Sequence, residues 1–252
     1  MFKGFYNLAS GMLTQQRVLN TVSNNIANVS TPGFKRDTMV NGTFRDMLIS
    51  RTGNADTRGT VSLDADRSMI RTVYELVTDF AQGGIEETER NLDFCILGNG
   101  FFQIQTADGI LYTRNGSFSI NENGQLSLLN IGLVMGEGGP ITLATDNINV
   151  NDFGVITDAN GNLLGRISIA DFNDYSALVQ VDYGMFQSQG APDIINPAGT
   201  TLRWQALEAS NVSAMDEMMA MMTSQRALQS AAQVLKMYDQ LMGKAVTEIG
   251  RV

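Results

Sequence analysis

The spacing of hydrophobic residues predicts a helix at the start of the chain. From Phe5 to Val29, apolar residues recur in alternating steps of three and four, with one polar interruption at Gln15. This is the heptad spacing of a helix that packs along one seam. We predict a helix over the first thirty residues. It ends at Thr31-Pro32-Gly33, because proline disfavours helix at the residue before it and glycine permits a turn.

A second and longer seam follows at the other end of the chain. Heptad positions alternate by four and three over Ala214–Ile249, about five heptads or roughly 55 Å of helix. Ser210 or Ser213 is the predicted N-cap, and Asp216 and Glu217 suit the first turn, where the helix dipole favours acids. A second apolar stripe beside the seam predicts more than one helical neighbour: Met215, Met219, Met222, Val234, Met237 and Leu241. We expect the two terminal helices to pair, antiparallel or parallel.

Between the helices the period changes to two. Residues 83–165 contain 14 glycines. Several of them form turn dipeptides typical of β-hairpins: Asp108-Gly109, Asn115-Gly116, Asn123-Gly124 and Asn160-Gly161. The runs between them predict strands at 94–97, 102–105, 117–120, 125–128, 155–157, 166–170 and 202–207.

The predicted fold class is α+β, in which the terminal helices form a coiled-coil core and a mainly antiparallel all-β domain is inserted between them. We predict four parts: an N-terminal helix over 1–33, an extended connector over 34–80, the β domain over 81–207 and a C-terminal helix over 208–252. This arrangement requires the two ends of the chain to lie close together in space.

Charge and composition exclude several functions. The net charge is −9, but residues 1–36 carry +4 and residues 37–207 carry −12. With so acidic a body we expect no nucleic-acid binding. No apolar run approaches the length of a membrane span or of a secretory signal, so we expect neither membrane insertion nor a cleaved signal peptide. The absence of histidine excludes histidine-based catalytic triads and zinc sites within this chain.

The remaining candidates for chemistry each have a simpler interpretation. Cys95, the single cysteine, lies in an apolar run with no histidine to activate it. Glycine and a closing glutamate are missing from the calcium-like pattern that begins at Asp158. Gly98-Asn99-Gly100 lacks the third glycine of a dinucleotide loop. A carboxylate hydrolase would have to use either the acids Glu86, Glu87 and Glu89 or the acids Asp64 and Asp66. We predict no enzyme activity, no catalytic, metal or cofactor-binding residue, and no cofactor.

Four segments in order resemble the signatures of the bacterial flagellar rod and hook protein family. They are 23–36 (SNNIANVSTPGFKR), 92–102 (LDFCILGNGFF), 112–118 (YTRNGSF) and 207–212 (LEASNV), followed by Gln225-Arg226-Ala227. The chain departs from the family pattern in two places. Asn91 stands where proline is common, and Gln205 stands where glycine is common.

The resemblance implies a structural subunit of the flagellar basal-body rod, of the proximal or the distal type. It implies export without a cleaved signal through the flagellar type III apparatus and polymerisation with itself and other rod or hook subunits into a torque-transmitting helical tube. Paired terminal helices, disordered before assembly, would line this tube inside an outer β domain. The assembly residues expected in the helical core are Phe5, Leu8, Met12, Leu19, Val22, Asn25, Ile26, Asn28, Val29, Met218, Met221, Leu228, Leu235, Met242 and Ile249.

The alternative function is an extracellular binding or adhesion module with an acidic β domain on a helical stalk. A solvated stalk normally carries many charges. Residues 5–29 carry one, Arg17, which favours an enclosed helix and therefore the rod subunit.

Overall fold

A computed structural model describes residues 2–43, 71–128, 131–143, 145–181, 184–188 and 190–249. Its contacts divide the chain into two compact units. The helical unit comprises residues up to 26, 37–78 and those from 214 onward, and the β unit comprises 27–36 and 79–213. This confirms the predicted α+β class: two helices and a mainly antiparallel β domain.

The helical unit contains α1 (Phe2–Ala27) and α2 (Ala214–Ile249). It also holds most of a two-stranded sheet of β1 (Arg36–Thr43) and β2 (Arg71–Asp79). These two strands lie in the predicted connector, and Asp64 and Asp66 fall outside the described residues. None of the helices in the described part of the chain combines the length and apolarity that crossing a membrane requires.

The low charge of α1 is matched by hydroxyl groups that bond to the helix itself. Ser10, Thr14 and Thr21 each donate to a backbone carbonyl three or four residues earlier. This back-bonding satisfies the hydroxyls without solvent or an ionic partner. The helix ends at Ala27, and a turn follows in which the Thr31 amide donates to the carbonyl of Asn28 at 3.1 Å.

The predicted seam of α2 has two positions in each heptad. At one of them, the residue one place earlier in the chain is buried instead. Glu217 and Ser224 are buried, whereas Met218 and Gln225 are exposed. The positions shared by the predicted seam and the less exposed face are Ala214, Met221, Leu228, Ala232, Leu235 and Met242. Two adjacent apolar stripes permit either rotation, so the heptad pattern alone does not choose between them.

Seventeen further strands are described in the β unit, and every pairing among them is antiparallel. They are β3 (Ile85–Glu87), β4 (Phe94–Leu97), β5 (Phe101–Thr106), β6 (Gly109–Thr113), β7 (Phe118–Ile120), β8 (Leu126–Leu128), β9 (Gly132–Gly136), β10 (Gly139–Pro140), β11 (Ile148–Val150), β12 (Val155–Asp158), β13 (Leu163–Arg166), β14 (Ile169–Asp171), β15 (Leu178–Gln180), β16 (Phe186–Ser188), β17 (Ile194–Ile195), β18 (Thr201–Trp204) and β19 (Ala206–Glu208). A short 3-10 helix, Tyr175–Ala177, precedes β15.

A ten-stranded sheet with the path β15-β16-β6-β5-β9-β8-β7 forms the centre of the β unit. Separate smaller sheets pair β11-β12-β13, β18 with β4 and β19 with β3. The main core is aromatic and aliphatic, and includes Phe94, Phe102 and Phe118, all fully buried. Phe102 packs edge-on against Phe118 at a centroid distance of 5.1 Å.

Three of the four predicted hairpin dipeptides join paired strands. Asp108-Gly109 joins β5 to β6, Asn123-Gly124 joins β7 to β8, and Asn160-Gly161 joins β12 to β13. The prediction for Asn115-Gly116 is wrong, because β6 and β7 do not pair with each other. There the Asn115 side chain accepts the Ser117 amide in a local turn instead.

Two predicted strands are divided in the structure. Residues 166–170 span the end of β13 and the start of β14. Residues 202–207 are interrupted at Gln205, whose φ of 53° places it in the left-handed region and separates β18 from β19.

Candidate functional site

A buried ion cluster lies at the end of β19. The carboxylate of Glu208, fully buried, accepts hydrogen bonds from Lys35 Nζ and, at 3.2 Å, from an Arg114 guanidinium nitrogen. Its Oε1 also accepts the amide of Gly83 at 3.0 Å. The Lys35 and Arg114 side chains are 1% and 5% exposed. One buried anion is therefore shared by two buried cations. We call Lys35, Arg114 and Glu208 the Glu208 cluster.

Backbone carbonyls also accept hydrogen bonds from both cations, although the buried Nε of Arg114 has no hydrogen-bond partner among the described residues. Lys35 Nζ donates to the carbonyl of Ala81 at 2.8 Å, and Arg114 donates to that of Gly98 at 2.7 Å. The Arg114 guanidinium also lies 5.4 Å from the centroid of the Phe101 ring. Burial lowers the pKa of Lys35, and the neighbouring Glu208 carboxylate partly opposes that shift.

The Glu208 cluster and the hydrogen bonds beside it bring together parts of all four motif segments. Gly33 donates its amide to the Glu208 carbonyl at 2.7 Å, and Asn211 accepts the amide of Arg36 at 2.7 Å. Gly33 has φ of 68°, and a Cβ there would lie 2.3 Å from the carbonyl carbon of Arg114. Glycine is required at this position both by backbone conformation and by the close approach of the other segment.

The structure places the two departures from the family pattern against each other. The Gln205 side chain donates to Asn91 Oδ1 at 2.9 Å. Gln205 holds the left-handed conformation that glycine adopts without a steric penalty. We infer that this hydrogen bond offsets part of the strain.

The environment of Cys95 keeps its thiol protonated. Cys95 is buried on β4, and burial, reinforced by the charge of Glu208, raises the pKa of its thiol to about 11. A thiol in this environment is a poor nucleophile near neutral pH.

The acids considered for catalysis do not converge. Glu86 and Glu87 lie on β3, and both they and Glu89 are exposed, with Glu87 paired to exposed Arg203. At the calcium-like pattern, Asp158 accepts the side-chain amide of Asn160 at 3.0 Å within the β12–β13 turn. Within the ranges that the structure describes, no group of three or more acidic or cysteine side chains is placed to hold a metal ion.

A second buried polar network lies in the helical unit. Asn25 of α1 exchanges two hydrogen bonds with the backbone of Asp37 on β1 and donates at 3.3 Å to the Glu217 carboxylate of α2. Asp37 Oδ1 accepts the hydroxyl of Thr78 on β2 at 2.7 Å. Burial raises the pKa of Asp37, and the Thr78 hydrogen bond opposes the shift. One amide side chain thus links elements from three separate parts of the chain.

The predicted assembly residues differ in exposure. Val22 and Asn25 are buried, whereas Phe5 and Met218 are 40% and 54% exposed. The side chain of Ile249 lies outside the description. Half-buried positions are Leu8, Met12, Leu19, Ile26, Asn28, Val29, Met221, Leu228, Leu235 and Met242. Their role in assembly stays a prediction.

Sequence reasoning assigned no role to the residues of the Glu208 cluster. Lys35, Arg114 and Glu208 all lie inside the motif segments. Arg114 and Glu208 are each the single charged residue of a motif segment, which was the available indication, but the pairing of the three residues depends on the fold. Glu217 was assigned to the helix dipole, and its bond to Asn25 was not predicted.

The fold and the site define a class of α+β protein in which two terminal helices flank an inserted antiparallel β unit, and the first and last segments of that unit are joined by the Glu208 cluster. Comparison with known proteins identifies the family. Residues 5–35 match the family "Flagella basal body rod protein", residues 95–158 match "Flagellar hook protein FlgE/F/G D1 domain", and residues 205–248 match "Flagellar basal body rod FlgEFG protein C-terminal".

Relatives match along nearly their whole length. The chain is 31% identical to the flagellar hook-basal body complex protein FlhO of Bacillus subtilis, over 100% of both chains. It is 31% identical to the flagellar basal-body rod protein FlgG of Buchnera aphidicola, over 97% of this chain and 98% of the relative. Identity to the FlgG protein of Bacillus subtilis is 28%, over 98% of both. The chain belongs to the flagellar basal-body rod and hook protein family.

Proposed function

We propose that this protein is a structural subunit of the bacterial flagellar basal-body rod, and that its work is assembly rather than catalysis. The observation that carries the proposal is the methionine face of α2, formed by Met215, Met218, Met219 and Met222. Each of these side chains is more than half exposed. Such a patch on a helix indicates a surface that other subunits cover.

Within one subunit, we propose that α1 and α2 pair as an antiparallel coiled coil. The supporting contact is the hydrogen bond between Asn25, in the last turn of α1, and Glu217, in the first turn of α2. Helices that meet end to start in this way run in opposite directions when they lie side by side. Methionine on the remaining face suits contacts with several different neighbours, because its side chain is flexible and polarizable.

Between subunits, we propose contacts that join different surfaces of identical chains. Such contacts do not close into a ring when their rotation leaves an axial shift, and they then generate a helical tube. The partners are further copies of this chain and other rod or hook subunits. Export by the flagellar type III apparatus, without a cleaved signal peptide, and torque transmission within the basal body complete the proposal.

Complementation in the parent bacterium tests this function. A strain lacking the gene should recover motility and complete basal bodies with the wild-type chain. Met218→Lys/Met222→Lys should be secreted but should not enter basal bodies, because each lysine places a charge in the covered face. Motility on soft agar and immunoblots of purified basal bodies measure the two outcomes.

A matched control places lysine on the β unit. Leu163 lies on β13 and is 70% exposed, so Leu163→Lys should assemble as the wild type does. Incorporation of Met218→Lys/Met222→Lys at the wild-type level would contradict the proposal. So would normal basal bodies in the strain that lacks the gene.

A further inference from the structure

We propose that Asn25 sets the register between α1 and α2, acting as a positioning residue through Glu217 and the backbone of Asp37. The proposal rests on the proposed function in one respect, since the helices it aligns are the ones assigned to assembly. Asn25 is 1% exposed and Glu217 is 1% exposed, so neither side chain can exchange its protein partners for solvent.

The hydrogen bonds of Asn25 determine the orientation of its amide. The Asp37 amide can only donate, so the oxygen of Asn25 must face it, at 3.1 Å. The nitrogen then faces the Asp37 carbonyl at 2.8 Å and the Glu217 carboxylate at 3.3 Å. One oxygen and two N–H groups are all used. Aspartate lacks the donors, and leucine lacks both donors and acceptor.

A buried polar contact of this kind specifies one alignment of two helices. The apolar residues of α2 form two stripes, and a slip of α1 by one turn or one heptad would still bury methyl groups against methyl groups. It would, however, move Asn25 away from Glu217 and leave buried polar atoms without those partners. Single buried asparagines set register in coiled coils by the same penalty.

Asn25 also links this register to β1. Because its amide bonds both backbone groups of Asp37, a slip of α1 would break the bonds to β1 together with the bond to α2. Because Asn25 of α1 contacts both β1 and α2, the alignment involves three elements of the helical unit. A uniform helical unit in every copy is what a regular tube needs.

A cysteine ladder on the full-length chain measures the register directly when it is read in purified basal bodies, because the terminal helices are expected to be ordered only after assembly. In a Cys95→Ala background, one cysteine replaces Val22, and a second is moved through positions 218–228 of α2, so that Glu217 stays in place. Mild oxidation should give one maximum of disulfide yield, about one turn beyond Glu217 if the helices are antiparallel. Yields one heptad away should be lower by about tenfold, the ratio that one charge-assisted hydrogen bond supports.

Two variants test whether the polar contact causes that preference. Asn25→Leu/Glu217→Leu replaces the pair by apolar groups, so the helices should still associate while the ladder spreads over positions a turn or a heptad apart. Asn20→Leu, on an exposed position of α1, is the matched control and should keep the single maximum. A single, unshifted maximum in the double leucine variant, or a flat ladder in the wild type, would overturn the proposal.

Exchanging the amide and the carboxylate between positions 25 and 217 distinguishes loss of the hydrogen bond from loss of packing. Asn25→Asp places a carboxylate against that of Glu217 and should broaden the ladder. Adding Glu217→Gln restores a donor between the two side chains and should narrow the ladder toward the wild-type maximum, although the Asp37 carbonyl still lacks its donor. A ladder as broad as that of Asn25→Asp alone would show that the amide–carboxylate contact does not choose the register.

The ladder and the complementation experiment fail separately. If the wild-type ladder has one maximum but the gene proves unnecessary for basal bodies, the proposed function is wrong and the role of Asn25 stands. If complementation succeeds and the ladder does not respond to the Asn25 variants, only the role of Asn25 is wrong.

Discussion

Replacement of Glu208 by glutamine removes the only anion of the Glu208 cluster while preserving the size of the side chain. Lys35 and Arg114 then remain buried with no opposite charge among their hydrogen-bond partners in the cluster. The new amide group can accept from one cation, but its nitrogen turns a donor toward the other. The perturbation is therefore an uncompensated buried charge rather than a cavity.

Removing one member of a buried ion pair costs about 3–5 kcal/mol, since the desolvated partner keeps its charge. Here Lys35 can release its proton, because burial already lowers its pKa. We therefore expect the lower end, about 3 kcal/mol. The matched control is Glu87→Gln, which breaks a pair with Arg203 whose two side chains are 74% and 50% exposed. Exposed pairs contribute about 0–1 kcal/mol.

Urea unfolding of the full chain, followed by fluorescence, measures both variants. Trp204 is the single tryptophan and lies on β18, where its indole donates to the Asn91 carbonyl at 2.8 Å. With a slope near 2 kcal/mol per M, Glu208→Gln should lower the midpoint by about 1.5 M and Glu87→Gln by about 0.5 M or less. Equal shifts for the two variants would refute the argument that burial makes the cluster costly to break.

Three further predictions concern the β unit. The pKa of Cys95 is raised from 9.0 to about 11, so its thiol should lower folding stability by about 2 kcal/mol as pH rises from 9 to 11, and Cys95→Ala should remove that contribution in urea titrations. Gly33→Ala should lower the free energy of thermal unfolding by more than about 2 kcal/mol, whereas Gly161→Ala, with φ of 82° and open space around it, should lower it by only about 1 kcal/mol. Equal losses would show that the close approach of Arg114 to Gly33 does not contribute. Asn91→Ala should lower the free energy of unfolding by about 1 kcal/mol in the wild type but by almost nothing in Gln205→Gly, because the hydrogen bond is then already absent. A double-mutant cycle measures this, and additive effects of the two changes would disprove the coupling.

The correct sequence predictions were those that depend on neighbouring residues. The heptad spacing located both helices, and three turn dipeptides located hairpins, since periodic burial and positive φ act over a few residues. Asn115-Gly116 misled because the same dipeptide also serves a local side-chain turn. There Gly116 is needed for another reason: a Cβ would lie 1.7 Å from the carbonyl oxygen of Phe94.

The sequence by itself determined the two helices with heptad spacing, the antiparallel β domain, the acidic central segment and the family, because each of these follows from local periodicity, composition or the order of motifs. Only the tertiary structure decided which polar groups meet. Lys35 and Glu208 are 173 residues apart in the chain, and no local pattern encodes their contact. The same holds for α2, where two apolar stripes allow two rotations and the buried contact between Asn25 and Glu217 accompanies one of them. These contacts join residues that are far apart in the chain and meet only when it folds, so no local sequence pattern predicts them.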